Sequence, residues 1–598
     1  MKAVDFTSIK INGGFWKEKQ DLVREVTINA VYDRFKESGR IDAFNFDSGV
    51  KAHFFWDSDV AKWIESVAYL STEKREPALE AIVDEIVDNI EKYRDECGYF
   101  NIYHMTIEPE NRLKIRDHHE LYCLGHLIEA GVAYYKATGK DKLLKLMCDY
   151  TDYVEKRFKI DKNTPFTTPG HEEIELALVK LYDVTGEKRY LELSRFFVDE
   201  RGTKSEELCD WMGRSYNQSH APVREQDTAE GHAVRAVYLY CAMADLALKY
   251  NDEALKNACR KIFDNIINKR MYITGGIGSS AFGEAFTVDY DLPNLTAYTE
   301  SCAAIGLALF AHRMLLLEND AKYADTIERV IYNGFLSSFS LDGDKFFYCN
   351  PLEILPYMLT KDTSQNEKNS LHLPVTRRQK EFECSCCPPN ITRFVPTIAN
   401  FMYTCDDDTI YVHQYMQSEA QIALGDKKIK IEQKTLYPTN GKIEIKADTP
   451  CKVAVRIPDY CRDKGSSGYE IFEITDPSSP ICLDFDLTPR FVCANPEVLA
   501  DTDKIALARG PVVYCMEGVD NEGHLRSIVL DTSSQVTESE NAELGVIALT
   551  LDAYQRKPIA SLYSTKINDT YKTKATLIPF YAFANREECE MQVWHNYR

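Results

Sequence analysis

Over residues 1 to about 400, apolar positions recur every three to four residues, the spacing that lines one face of an α-helix. Leu121, Leu124, Ile128 and Val132 form one such stripe. The pattern predicts helices over 17–37, 58–72, 77–94, 118–138, 141–158, 170–185, 188–202, 226–250, 252–270, 295–318, 320–337 and 388–403. Breakers and caps punctuate it, as where Gly139 closes one helix and Asp141 opens the next. Twelve helices in successive antiparallel pairs predict an (α/α)6 barrel, with alternate helices forming an inner ring.

Beyond about residue 405 the period changes to two. Ile410–Tyr415, Lys442–Ile445 and Lys452–Ile457 read as strands, and Thr439-Asn440-Gly441 as a turn between strands. The expected organisation is a multidomain α and β chain: an (α/α)6-barrel catalytic unit over 13–405, a β-sandwich over 406–505, and a C-terminal β-sandwich over 506–598. The strand-like opening, 1–12, is expected to join the C-terminal sandwich. The polar segment 361–382 reads as a lid or an ordinary loop.

Composition narrows the function. At 598 residues the chain is too long for one core. A formal charge of -22 argues against nucleic acid, which needs a basic face, and against anionic membrane surfaces. No apolar run approaches the roughly 20 residues of a membrane helix, and the first residues lack a basic flank followed by an apolar stretch. A cytoplasmic location with free thiols is the expectation. The exposed β-rich half could mediate a homodimer.

One stretch departs from the dispersed pattern of the other cysteines: Cys384-Ser385-Cys386-Cys387-Pro388-Pro389-Asn390. A tight thiol cluster in a reducing compartment reads first as a soft-metal site, usually zinc, and second as a reactive thiolate. Cys386 and Cys387 can supply two ligands. Glu300 and Cys302 could supply the others, although residues two apart do not share a helical face. The segment must therefore depart from ideal helix, or Cys384 replaces one of them.

The unusual polar groups fall on even-numbered helices. Trp56-Asp57-Ser58-Asp59 opens the second; His119 and His126 lie on the fourth; His171-Glu172-Glu173 opens the sixth. Gly231-His232 sits on the eighth, Glu300 and Cys302 on the tenth, Cys386-Cys387 on the twelfth. In an (α/α)6 barrel these converge on one funnel, as an active site requires. Each also has a bland reading. Asp57 or Asp59 reads as a helix cap, a lone histidine as a bonded core residue, and Tyr348 as strand core. Glu284, close after Gly275-Gly276-Ile277-Gly278, could protonate a leaving group. One acid and one nucleophile are the minimum for a retaining glycosidase, here with sulfur in place of the second carboxylate.

These residues resemble glycoside hydrolase family 127, the β-L-arabinofuranosidases. The resemblance rests on Gly-Glu-Ala-Phe (283–286), Asp-Tyr-Asp-Leu-Pro-Asn (289–294), Glu-Ser-Cys-Ala (300–303), Phe-Phe-Tyr-Cys-Asn-Pro-Leu-Glu (346–353) and Cys-Ser-Cys-Cys-Pro-Pro-Asn (384–390). His-Glu-Leu-Tyr-Cys-Leu-Gly-His-Leu-Ile-Glu-Ala (119–130) and Gly-His-Ala-Val-Arg-Ala (231–236) extend it. The resemblance implies zinc held by Glu300, Cys302, Cys386 and Cys387, with Cys386 as nucleophile and Glu284 as general acid/base. It further implies sugar contacts by His126, His171, His232 and Tyr348, an L-arabinofuranoside or oligosaccharide substrate, and no part for Cys384. Two other readings stay open: a related enzyme acting on another pentose or a uronide, and a sugar-binding protein with a structural zinc.

Overall fold

A computed structural model of the chain describes residues 1–203, 212–359, 376–380, 382–463, 466–566 and 569–598. Of the expected lid over 361–382, residues 361–375 and 381 fall outside the described residues.

The long helices come in the expected order. α1 runs from Gly14–Leu22 through one π turn, Val23–Thr27, into Ile28–Glu37. There follow α2 (Trp56–Glu73), α3 (Pro77–Tyr93), α4 (Glu120–Thr138), α5 (Lys142–Glu155) and α6 (Ile174–Thr185). α7 (Lys188–Glu200), α8 (Ala233–Tyr250), α9 (Glu253–Asn265), α10 (Ser301–Leu317), α11 (Ala321–Arg329) and α12 (Cys387–Phe394) complete the set.

The even-numbered helices close a ring. α2 packs on α4, α4 on α6, α6 on α8, α8 on α10, α10 on α12, and α12 back on α2. Burial explains the division. α10 buries residues on every side, including Ala303, Ile305, Leu307, Phe310 and Met314. α9 buries one stripe, Leu255, Ala258, Ile262 and Phe263. A helix apolar all round needs neighbours all round, so it goes inside; an amphipathic helix covers it from outside. The chain is thus a helical (α/α) unit followed by sheet-rich domains.

Two expectations about the sheets change. Lys2–Ala3 pairs with Tyr403–Cys405, and Ile9–Ile11 with Ser418–Leu424. The opening strands therefore complete the two five-stranded sheets of the middle region, not the C-terminal one as expected. Those sheets also hold Thr409–Val412, Lys427–Thr435, Lys442–Ala447, Cys451–Arg456, Tyr469–Ile474 and Ile481–Asp484. Arg490–Val492 pairs with Lys504–Arg509, so the ten-stranded C-terminal sheet starts before residue 506. The alternation of apolar residues marks strands but not their partners, and both differences are questions of partner.

Two joints tie sheets to barrel. Arg456, fully buried at a strand end, pairs with Asp325 at 2.7 Å and Glu328 at 2.6 Å on α11. Glu353–Ile354 pairs with Met591–Gln592, so the segment carrying Tyr348 is anchored in the C-terminal sheet. Among the described residues no helix is long and apolar enough to cross a membrane.

Candidate active site

The site is assembled by backbone stitching of the 278–286 loop and the Tyr348 segment to the starts of α8 and α10. Thr299 N donates to Gly278 O at 2.8 Å, and Ser301 N to Tyr348 O at 2.9 Å. Phe286 N donates to Gly231 O at 2.8 Å, drawing the Glu284 turn against His232. Gly231 sits at φ +70°, and a Cβ there would stand 1.9 Å from Ser215 O, so only glycine fits. Glu284 itself holds φ +52°, a left-handed conformation that costs a non-glycine residue about 1–3 kcal/mol and recurs at functional sites.

Four acidic side chains meet at the mouths of α10 and α12: Glu300, Cys302, Cys386 and Cys387. Cys302 Sγ lies 3.3 Å from Cys387 Sγ and 3.8 Å from Cys386 Sγ; Cys386 and Cys387 are 3.7 Å apart. Glu300 Oε1 lies 3.5 Å from Cys387 Sγ and 3.7 Å from Cys386 Sγ. The helical-face objection dissolves locally. Glu300 is the N-cap of α10, with extended backbone (φ -59°, ψ 140°), and only Ser301 starts the helix. The two side chains are set by different backbone conformations, so the i, i+2 rule for a continuous helix does not apply. Cys384 stands at the edge, its sulfur 3.9 Å from Tyr348 Oη.

The three clustered sulfurs differ in access. Cys302 is 2% exposed and Cys387 0%, while Cys386 is half-buried. Tyr348 Oη is 3.4 Å from Cys386 Sγ. Burial, with the neighbouring Cys386 thiol and Glu284, pushes the Glu300 carboxyl well above its usual range. Burial and contact with Cys302 and Cys386 do the same to Cys387. Burial also works against charge on Cys302, but its contacts with Cys386 and Cys387 outweigh it and leave that thiol at about 6. So many acidic groups cannot all ionise together without a cation among them.

His232 Nε2 is 2.9 Å from Glu284 Oε2. Its Nδ1 caps α8, accepting from Val234 N at 3.2 Å and Arg235 N at 3.4 Å. An Nδ1 that accepts leaves the proton on Nε2, so His232 donates to the Glu284 carboxylate. Burial lowers the His232 pKa, opposed by the Glu284 contact. The carboxylates of Glu284 and Glu300 and the His232 ring all lie within 4.8 Å of one another.

The remaining histidines divide. The His171 ring is 5.5 Å from that of His232 and 5.6 Å from that of His119. His126 has no exposed surface; its Nδ1 faces Glu173 at 3.2 Å, and it lies behind the Tyr122 ring, 4.5 Å away. His119 is half-buried and faces His171 and Phe54. Burial and the charge of Arg235 hold the His119 pKa down at about 3, so the ring is neutral. Tyr122, absent from the expected site residues, packs 4.3 Å from His171; its signal was its place in the motif, one turn before His126. Neither aspartate at the start of α2 is a cap. Asp57 Oδ1 accepts from Ile102 N at 3.0 Å, and Asp59 pairs with Arg40 at 3.1 Å.

Comparison with known proteins agrees along the chain. Residues 8–400 match the family described as "Beta-L-arabinofuranosidase, GH127 catalytic domain". Residues 409–471 match its middle domain and residues 489–596 the glycoside hydrolase family 127 C-terminal domain. The non-reducing end β-L-arabinofuranosidase of Bifidobacterium longum subsp. longum is 34% identical, over 93% of this chain and 91% of that protein. The crystal structure of a family 127 β-L-arabinofuranosidase from Geobacillus stearothermophilus T6 has a TM-score of 0.93 at 40% identity, covering 99% of this chain and 100% of that one. A second family 127 β-arabinofuranosidase structure gives 0.90 at 35% identity, covering 100% of this chain and 98% of that one.

Proposed function

The chain belongs to glycoside hydrolase family 127, and from that premise we propose that it removes terminal β-L-arabinofuranose from oligosaccharides with retention of configuration. The observation that carries this reading is a thiol cluster in which Cys302 and Cys387 are buried and Cys386 only half-buried, next to Glu300 and through it to the Glu284–His232 pair.

Zinc fits the donor set. A tetrahedral site with Zn–S near 2.3 Å spaces its sulfurs about 3.8 Å apart; the pairs here span 3.3 to 3.8 Å. Glu300 Oε2 is buried without a hydrogen-bond partner among the described residues, which suits a ligand. Glu300, Cys302, Cys386 and Cys387 would hold the ion. Bound zinc would keep the thiols ionised and make sulfur a better leaving group.

The protein groups then divide the chemistry. Glu284, held by His232, gives its proton to the glycosidic oxygen while the Cys386 thiolate attacks C1, and a thioglycosyl bond forms as the C–O bond breaks. Glu284 next takes a proton from water, the water oxygen bonds to C1, and the C–S electron pair returns to Cys386. His171, His119 and Tyr348 line the sugar position. His119 takes the place first expected for His126, because His126 presents no surface to the funnel.

The test is Cys386→Ser, assayed on a chromogenic β-L-arabinofuranoside beside metal analysis. Turnover should fall to background with the fold intact. Activity near that of the parent would rule out sulfur as the nucleophile.

A further inference from the structure

Lys62 stands on α2 with its side chain wholly buried. Its ammonium donates to Tyr122 Oη at 3.0 Å and sits 4.9 Å from the centre of that ring. Among the described residues it makes no ion pair. The other buried cations nearby are committed. Arg40 pairs with Asp59, Arg393 with Glu65 and Glu129, and Arg201 with Glu172 and Glu175. A buried ammonium without an anion costs several kcal/mol, so a compensating negative charge is required nearby.

The surplus lies on the side of the ring where α12 packs against α2. Three thiolates and a carboxylate outweigh one divalent ion, so the loaded cluster stays net negative in a buried site. α2 and α12 are neighbours in the inner ring, and Ser66, one turn beyond Lys62, reaches Pro389 O at 3.5 Å. Tyr122 is bonded to the ammonium and packed against His171 and His126.

We propose that Lys62, held by Tyr122, is the counter-charge of the zinc–thiolate cluster, a positioning residue that stabilises the anionic sulfurs without touching substrate. The inference rests on the zinc reading above. It assigns Lys62 a role in the second chemical step. When water displaces the sugar, the C–S pair returns to Cys386 and restores a negative charge that Lys62 offsets.

The test titrates full-length, zinc-loaded parent, K62M, K62R and Y122F against a chromogenic chelator at neutral pH. K62M, matched in length but uncharged, should hold zinc on the order of 10–100-fold more weakly, the range seen when partners of metal ligands are removed. K62R should stay close to the parent, because charge and not shape is restored. In the reaction, K62M should accumulate sugar-bound protein, read as an added pentose residue by intact mass, and the parent should not. A folded K62M with parent affinity and no adduct overturns the inference, as does a K62R as weak as K62M. If K62M does not fold, Y122F carries the test: losing the oxygen that holds the ammonium should weaken zinc several-fold, and parent affinity overturns the inference. A parent that binds no zinc would instead overturn the metal reading itself.

Discussion

His232 does two jobs with two nitrogens, and one substitution separates them. Its Nδ1 caps α8, and its Nε2 holds Glu284 at 2.9 Å. His232→Asn keeps a good N-cap residue but is too short to reach Glu284. His232→Ala removes both functions. Loss of the cap costs about 0.5–2 kcal/mol of stability, so the alanine variant should melt lower and the asparagine variant close to the parent. Loss of a hydrogen bond to a charged group costs about 1.5–3 kcal/mol, a factor of roughly 10–150 in any step that needs Glu284 in place. The sign of the pH effect also follows. A donor to the carboxylate favours its ionised form, so without His232 the Glu284 pKa rises and the alkaline limb of kcat/KM moves to higher pH. The assay is kcat/KM against pH for two aryl arabinofuranosides, one with a good leaving group and one with a poor one. Poor leaving groups need the proton more and should suffer more in both variants. An asparagine variant with unchanged kcat/KM on the poor leaving group would refute the positioning of Glu284 by His232. Equal losses on both substrates would point to a collapsed pocket instead.

Two further predictions concern the frame around the site. Burial raises the Asp57 carboxyl to about 7 from 3.8, so its neutral form is favoured in the fold; the stability it contributes is complete below about pH 4 and is lost as pH rises through 7. Asp57→Asn keeps the acceptor for Ile102 N and cannot ionise, so it should gain on the order of 2–4 kcal/mol over the parent at pH 8 and little at pH 4, measured by denaturant unfolding; parallel curves for the two proteins would sink this. Gly231→Ala would drive a Cβ to 1.9 Å from Ser215 O at a left-handed φ, so it should lower the melting temperature and displace His232, cutting Glu284-dependent hydrolysis; a variant indistinguishable from the parent would show that this turn does not set the site.

The helical half was legible because the inside and outside of such a barrel differ in composition. α10 is apolar on every face and α9 on one, and that contrast alone places the first in the inner ring. Once the ring alternates, residues as distant in sequence as His171, His232, Glu300 and Cys386 must point into one funnel. The sheets were legible as strands and not as neighbours. Ile9–Ile11 alternates like any edge strand, and nothing in that alternation says that Ser418–Leu424 rather than a C-terminal strand receives it.

At the site, what the sequence hid was which face of a helix each polar group occupies. His119 and His126 are seven residues apart, two helical turns, so a helical wheel puts both on one face. The structure separates them because His119 is not helical: it sits at φ +59° before α4 begins, and this turns its ring towards His171. Glu300 and Cys302 repeat the lesson in reverse, brought together by a cap where a regular helix would have parted them. Lys62 is the same problem with charge. It lies in Val60-Ala61-Lys62-Trp63-Ile64, where the pattern around it says core and the residue type says surface. Such a conflict between a residue and its helical face is itself a signal, because a cation survives in a packed core only where negative charge compensates it.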